Sequence, residues 1–382
     1  MEFSWSDEQL EFRDAIVEFA RRELNDDIME RDEAGSFSRE NWEKCAAMGL
    51  QGLPVPEAYG GQAADALTIV LLMEALGYGC LDNGLIFSMN AHIWSAIMPL
   101  VRFGSDEQKK KYLPGLCDGS LIGVQGMTEP GSGSDAFGGL RTRATKIDGG
   151  WRLDGTKMFI TNAPVADVFV VFATEDPAKG AFGLSAFLVD RDVAGVEVGQ
   201  PFKKMGLRTS LLSEVILEGC EIPDTCLLGR KGNGMAIFNH SMRWERSCVL
   251  ASAIGTMERH VETSVDYAKQ REQYGRPIGS YQAVSHRIVE MKLRLEMARL
   301  LLYRTAWRMA RGEDTDLDSA ITKLAISEAW VASGLDAIQV RGGYGYMAEY
   351  DVERDLRDAI AGRIYSGTSD IQRNMIARAL GL

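Results

Sequence analysis

Between roughly residues 121 and 230 the chain carries short β-rich runs broken by turn signals, with no helix of ten or more residues between them. Helical periodicity fills both sides of this stretch. VFVVFAT (168–174), LSAFLV (184–189) and EVILEG (214–219) have strand length and composition, while Asp148-Gly149-Gly150 and Asp154-Gly155 are turn formers. Parallel strands need long crossovers, so these runs are expected to pair locally, in an antiparallel sandwich or barrel. The same reasoning disfavours a nucleotide-binding parallel sheet.

Upstream, Phe12, Ile16, Phe19 and Ala20 recur at helix spacing, and Ser6 followed by Glu8-Gln9 sets up a capped start. Further helices are expected around 39–49, 64–79, 84–103 and 105–117. Downstream, long segments at about 233–270, 280–312 and 315–341, then a shorter pair, read as an antiparallel bundle. The predicted class is α+β multidomain: an N-terminal α-helical domain (1–120), a middle antiparallel β-barrel or sandwich (121–230) and a C-terminal helical bundle (231–382).

Lys and Arg number 42 against 54 Asp and Glu, a formal charge of −12. That balance argues against nucleic acid as a partner, because neutralising phosphate needs concentrated cationic surface. Lys109-Lys110-Lys111 follows Asp106-Glu107 and reads as a solvated helix face. Six scattered cysteines without a C-x-x-C pair, and four histidines, suggest neither a disulfide framework nor a zinc site and fit a reducing compartment. The start MEFSWSDEQLEF is acidic where a secretory signal would be basic, and no apolar run approaches ~18 residues. A cytoplasmic protein without a membrane partner is expected.

MTEPGSGSD (127–135) combines three hydroxylated residues, two glycines and a proline, so it can present backbone N–H groups to an anion or to the polar edge of a ring. It is not a G-x-G-x-x-G fingerprint, and on composition alone an interdomain turn is the favoured reading. GTKMFITNAP (155–164) sets Phe159 beside Thr161 and Asn162, a stacking face next to hydrogen-bonding groups, although a strand ending in a turn has the same look. REQYGRPIGSYQAVSHR (271–287) offers Arg271 for phosphate and Tyr274-Gly275 for a turn. QVRGGYGY (339–346) and YSGTSDIQR (365–373) read as a glycine-rich helix terminus and a capped last helix.

The clearest physical clue is in IFNHSMRWERSCVLASAIG. At 100° per residue, Met235, Phe238, Met242, Val249 and Ala253 form an apolar stripe with Glu245 near its middle. A carboxylate there is costly unless paired or used. Arg246, on the margin of the stripe, can compensate it in a structural ion pair. Alternatively the apolar surroundings raise its pKa toward neutrality and make it a general base. His240 and Cys248, on the same helix, have no metal-ligand spacing and read as packing residues.

Taken in order, MTEPGSGSD, GTKMFITNA, KKMGLRTS, REQYGRPI, GGYGY and YSGTSDIQR resemble the acyl-CoA dehydrogenase superfamily, over essentially the whole chain. The resemblance implies a C-terminal four-helix bundle, a homotetramer, and FAD held without a dinucleotide fingerprint. It implies that Met127, Thr128 and Ser134 lie along the flavin or the substrate thioester and that Phe159 and Thr161 flank the isoalloxazine. Arg271, Tyr274, Gln339, Gly342 and Gly343 would reach the FAD of a neighbouring subunit, and Thr368 and Asp370 would contact the adenine half of FAD. The implied reaction is α,β-dehydrogenation of an acyl thioester, with the α-proton taken by a carboxylate and the β-hydride by the flavin.

The sequence departs from the family's commonest pattern at one place. Where most members read Tyr-Glu-Gly-Thr and use that Glu as base, this chain has Tyr365-Ser366-Gly367-Thr368. A minority, similar to isovaleryl- and long-chain enzymes, carries the base on the first bundle helix just before an Arg, and Glu245-Arg246 matches that alternative. The backbone N–H of Ser366, beside Gly367, can still serve the thioester carbonyl. WERSCVLASAIGTMERHVE and neighbouring helical stretches are most similar to biosynthetic members such as prolyl-carrier-protein dehydrogenases. The expected partners are acyl-CoA or an acyl or aminoacyl carrier protein, with an electron-transferring flavoprotein or O2 as acceptor. An oxidase or hydroxylase, or a flavin-retaining assembly protein without catalysis, are the alternatives. Lys203, Lys204, Arg141 and Arg143 are candidate cations for recruiting an acidic substrate against the global charge.

Overall fold

A computed structural model describes residues 4–382. The first helical region comprises α1 (Asp7–Glu23), α2 (Ile28–Ala34), α3 (Arg39–Ala47), α4 (Ala66–Gly79), α5 (Asn83–His92), α6 (Met98–Phe103) and α7 (Asp106–Cys117). Ser6 starts α1 as expected: its hydroxyl accepts from the Gln9 N–H at 3.2 Å, and the Gln9 side chain accepts from the Ser6 N–H at 2.9 Å. Helix α2 is an addition to the expected set; at seven residues it is too short for apolar periodicity to declare it. Between α5 and α6 the helix continues through a π-turn, Ile93–Ile97, in which the Met98 N–H bonds to the carbonyl of Ile93, five residues back.

Asn83–Phe103 therefore runs as one helical stretch of 21 residues, long and apolar enough to cross a membrane. The expectation that no apolar run approaches that length is corrected on this point. The physical reason lies in packing, since 83% of its most apolar window is buried inside the protein, as in a core helix. Helices α4 and α9 (Ala251–Gln270) cross backbone to backbone. A Cβ on Gly77 would sit 2.0 Å from the Ser252 carbonyl oxygen, and one on Gly255 2.1 Å from that of Glu74.

The middle region is a mixed eight-stranded sheet: β1 (Gly123–Gly126), β2 (Arg143–Ile147), β3 (Gly150–Thr161), β4 (Val168–Thr174), β5 (Leu184–Asp190), β6 (Val196–Val198), β7 (Leu212–Pro223) and β8 (Leu227–Leu228). Its order is β6-β7-β3-β2-β4-β5-β8, with β1 added beside β4. Asp148-Gly149 is the two-residue turn of the β2–β3 hairpin, with Gly149 at φ 68°. Two expectations need correction. Asp154-Gly155 is no turn; it is a register shift inside β3, where Thr142 approaches so closely that a Cβ on Gly155 would lie 2.5 Å from its hydroxyl. The pairing is also not wholly antiparallel, because β1 runs parallel to β4 and β2 touches β4 in parallel at Arg143 and Thr174. The crossover that β1–β4 requires is made by the MTEPGSGSD loop and the β2–β3 hairpin, so no helix is needed to supply it.

The last region holds α8 (Gly234–Cys248), α9, a two-stranded ribbon of β9 (Glu272–Gln273) and β10 (Arg276–Pro277), α10 (Gln282–Ala310), α11 (Asp316–Arg341), α12 (Gly343–Tyr346), α13 (Val352–Gly362) and α14 (Ser369–Ala379). The long segment expected at 233–270 is two helices, broken at Val249–Leu250. Burial of both residues holds the break in the core. Helix α13 ties the regions together, since Asp358 accepts the Leu207 N–H at 2.5 Å and the Asn83 amide at 3.2 Å.

Candidate active site

Glu245 faces inward from α8 and is 9% exposed. Its Oε1 accepts the Ser366 hydroxyl at 2.5 Å and its Oε2 the Ser95 hydroxyl at 3.2 Å. Among the described residues it forms no ion pair, so the expected compensation by Arg246 is not direct: the Arg246 Nε instead donates to the Ser366 carbonyl at 3.3 Å. Side chains on adjacent helical positions diverge by about 100°, which turns the guanidinium off the carboxylate. Burial pushes the Glu245 pKa above the usual carboxylate range. The hydroxyls of Ser366 and Ser95, then the charges of Arg246 and Lys323, pull the other way without cancelling it. The result is a carboxylate held by neutral donors in an apolar setting, which suits it to take a proton.

The turn opposite is built to expose N–H groups. Ser366 and Gly367 both have left-handed φ, 55° and 86°. The Ser366 carbonyl is held by Arg246 and by the Gln372 amide (3.1 Å), and the Gly367 carbonyl by the Lys323 Nζ (2.7 Å) and Gln372 (2.9 Å). In a trans peptide the next N–H points opposite the carbonyl, so these clamps aim the N–H groups of Gly367 and Thr368 away from themselves. The N–H groups of residues 366–368 have no acceptor among the described residues, leaving donors free for a carbonyl oxygen that gains negative charge. Lys323 is a site residue that the sequence reading misses. It is fully buried, and burial first, then Arg246, lower its pKa to about 8. Tyr365, before the turn, stacks on Phe87 at 4.5 Å.

The MTEPGSGSD and GTKMFITNA segments meet. The Met158 N–H donates to the Thr128 carbonyl at 2.8 Å, and buried Glu129 accepts the Lys157 Nζ at 2.8 Å. Glu129 also accepts from the N–H groups of Arg141 (2.6 Å) and Thr142 (2.9 Å) and from the Thr142 hydroxyl (2.5 Å). Neither charged residue stands out in the sequence, although both sit inside the motifs. Phe159 lies at a second register shift of β3, with φ 57° and 62% exposure, an aromatic ring presented by strained backbone with Phe202 at its edge (5.8 Å). The Ser241 hydroxyl, one turn before Glu245, lies 3.1 Å from the Gln125 side-chain amide, which brings the end of β1, and buried Met127 two residues on, to α8. Thr161 is the last residue of β3. Ser134 is exposed in its loop, whereas its neighbour Ser132 is buried and tied to the Asp135 carbonyl.

The remaining expected residues gather elsewhere. Arg271, Gln339, Gly342 and Gly343 line one cavity of 810 Å³ together with Tyr344 and Tyr350. Tyr274, on the adjoining ribbon turn, is 95% exposed. No atom lies within 4 Å of a Cβ built on Gly342 or Gly343, and Arg271 is exposed without an ion pair among the described residues. An extended group carrying phosphate fits that combination of open glycine backbone and unpaired guanidinium. Thr368 caps α14 by accepting the Ile371 N–H at 3.2 Å, and Asp370 is exposed beside Arg373 at 3.1 Å. Lys204 is not a free cation: burial lowers its pKa to about 8, and its ammonium donates to the carbonyls of Leu207 (2.6 Å) and Ser210. His240 packs edge-on against Phe103 and Cys248 is fully buried, as packing residues would be.

Backbone strain marks the same segments. Of the eight described non-glycine residues with positive φ, five (Phe159, Asn162, Leu207, Tyr274 and Ser366) fall in the motifs singled out from the sequence. Strained backbone persists where the surroundings over-determine it, commonly at binding sites.

Comparison with known proteins bears on all three regions. The family models described as the acyl-CoA dehydrogenase N-terminal, middle and C-terminal domains match residues 6–120, 125–220 and 232–381. An L-prolyl-peptidyl-carrier-protein dehydrogenase of Pseudomonas fluorescens is 43% identical, with 100% of both chains covered, and an acyl-CoA dehydrogenase of Bacillus subtilis is 40% identical over 98% of each. Among solved structures, the prolyl acyl carrier protein oxidase AnaB superposes with a TM-score of 0.98 at 47% identity, covering 99% of this chain and 100% of its own. PigA with FAD and proline gives 0.97 at 43% identity, covering 100% of both. With three consecutive domain models matched and relatives this similar along its whole length, the chain belongs to the acyl-CoA dehydrogenase family.

Proposed function

We propose that this protein is an FAD-dependent dehydrogenase of acyl thioesters tethered to a carrier protein, with a prolyl or similar small aminoacyl group as substrate and Glu245 as the base. The observation that carries the reading is Glu245 itself, buried opposite the Ser366–Thr368 turn and held by hydroxyls alone. The exposed Phe159 ring fits a flat heteroaromatic group, and the Arg271–Gly343 cavity fits the phosphates of a dinucleotide. When bound, the flavin supplies the acceptor for the β-hydride.

The chain's own residues do the rest. Glu245 takes the α-proton onto a carboxylate oxygen. The N–H groups of the 366–368 turn receive the thioester oxygen as charge builds on it, and Lys323, Gln372 and Arg246 keep that turn aimed. Phe87 with Tyr365, and Trp94 stacked on Trp244 at 5.9 Å, wall the neighbourhood with aromatic surface and limit water. The relatives named for prolyl carrier proteins support a tethered substrate over free acyl-CoA. Tyr274, 95% exposed, and the open backbone of Gly342 and Gly343 beside Arg271 leave this surface uncovered on a single subunit, which supports a homotetramer whose subunits share cofactor sites. Six free cysteines support a reducing, cytoplasmic setting.

The test is anaerobic mixing of the FAD-loaded protein with a panel of prolyl-loaded carrier protein, acyl-loaded carrier protein and short acyl-CoAs. Bleaching of the flavin is expected with the prolyl carrier-protein thioester. No bleaching with any thioester overturns the reading, and bleaching by acyl-CoA alone overturns the carrier-protein assignment. Reoxidation by O2 at the turnover rate, against dependence on an electron-transferring flavoprotein, decides the acceptor.

A further inference from the structure

We infer that Ser95 is a positioning residue for the base and that the π-turn in the Asn83–Phe103 helical stretch exists to deliver it. The inference rests on the reading of Glu245 as base.

In an unbroken α-helix each residue advances 100°, and the extra residue of a π-turn rotates the later part of the helix relative to the earlier part. Here the turn spans Ile93–Ile97, with Ser95 at its centre, 7% exposed and donating to Glu245 Oε2 at 3.2 Å. Two further contacts lock it to α8. The Trp94 carbonyl accepts the Ser241 hydroxyl at 3.0 Å, and the Trp94 ring stacks on Trp244 with 9° between planes. Positions 241, 244 and 245 form one face of α8, so the π-turn is zipped to the helix that carries the base, on the side that carries it. Ser366 fixes the other oxygen from a separate element 121 positions away. Two hydroxyls on opposite oxygens hold the carboxylate plane in one orientation while adding no charge.

A hydroxyl donor favours the ionised carboxylate, so its loss raises the pKa of the base. The experiment titrates Glu245 by infrared difference spectroscopy on the FAD-loaded protein, identifying its carboxyl band as the one missing from Glu245→Gln. Ser95→Ala is expected to move the midpoint up by about 0.5 to 1 unit, the scale of one modest hydrogen bond to a charged group. Ser95→Thr, which restores the hydroxyl, is expected to return most of that shift, with FAD content unchanged in both. Anaerobic flavin reduction by prolyl-loaded carrier protein is then expected to show its acid limb displaced by the same amount. An unmoved midpoint in Ser95→Ala, or a shift that Ser95→Thr does not reverse, overturns the positioning role while leaving the base assignment standing. Normal flavin bleaching by Glu245→Gln overturns the base reading, and this inference with it.

Discussion

Glu129 and Glu245 expose nearly the same fraction of their surface, 6% and 9%, yet their pKa values move in opposite directions. Burial raises both. At Glu129 the charge and hydrogen bond of Lys157, joined by Thr142 and the Arg141 N–H, overturn that effect and leave the carboxyl below its ordinary value. At Glu245 the direct donors are two neutral hydroxyls, and the rise survives. The difference has two sources: Glu245 is the more deeply enclosed by protein, and its direct donors carry no charge, so nothing beside it offsets the cost of ionising. Glu129 is a rivet joining the MTEPGSGSD and GTKMFITNA segments, whereas Glu245 is a group kept ready to change its charge.

The comparison can be broken most decisively at Glu245. Glu245→Gln preserves shape and one acceptor oxygen, its NH2 donating where the second oxygen accepted, and flavin reduction by substrate is expected to slow by about 10⁴-fold, the upper range for a lost general base, with FAD content intact. A rate within tenfold of the native one would mean that proton abstraction occurs elsewhere. At Glu129 the large effect is on stability. Lys157→Met leaves an unpaired buried carboxylate and should cost about 3 to 5 kcal/mol in urea unfolding, part of which Glu129→Gln restores in the double variant.

The two carboxylates also predict opposite pH behaviour. Glu129, with a folded pKa below its unfolded one, contributes stability that is present above the ordinary carboxylate pKa and lost as pH falls through the folded value. Glu245, raised on folding, favours the fold when protonated. That contribution is present below the ordinary value and lost as pH rises through the raised one. At pH 8 Glu245→Gln is therefore expected to increase stability, by about 0.5 to 2 kcal/mol, and Glu129→Gln to decrease it by about 1 to 3 kcal/mol. Thermal melts of the two variants moving in the same direction would remove the distinction. The smallest effect sharpens it: Thr142→Val takes one hydroxyl from Glu129 and should cost about 1 kcal/mol without shifting the pH profile of flavin reduction, because Lys157 remains.

Glu245 is legible in the sequence because a helix's period is regular enough to show a charge on the wrong face. Lys323 is missed, although the same test applied to α11 would mark it, since it shares a face with buried Ala320, Ser327 and Trp330. Ser366 draws notice for its backbone, while its hydroxyl bond to Glu245 joins residues too distant for any local pattern to reveal. Ser95 is beyond reach, since nothing in HIWSAIM distinguishes a π-turn from a helix that simply continues. β4, β5 and β7 are visible individually, whereas β1 is a four-residue strand that joins β4 in parallel because a loop and hairpin replace the helix that such a crossover usually employs. Arg246 invites the wrong partner because adjacency in sequence does not imply contact on a helix.

The glycine crossing of α4 and α9 sets a timetable for synthesis. Eleven of the 14 residues of α4 are buried, and the surface that meets α9 stays uncovered until residues such as Thr256, 179 positions after Gly77, have left the ribosome. At translation speeds of about 5 to 20 residues per second that wait lasts about 10 to 35 s. Throughout it the first helices must be shielded by one another or by chaperones, and a chain that stops before α9 leaves an apolar face with no mate.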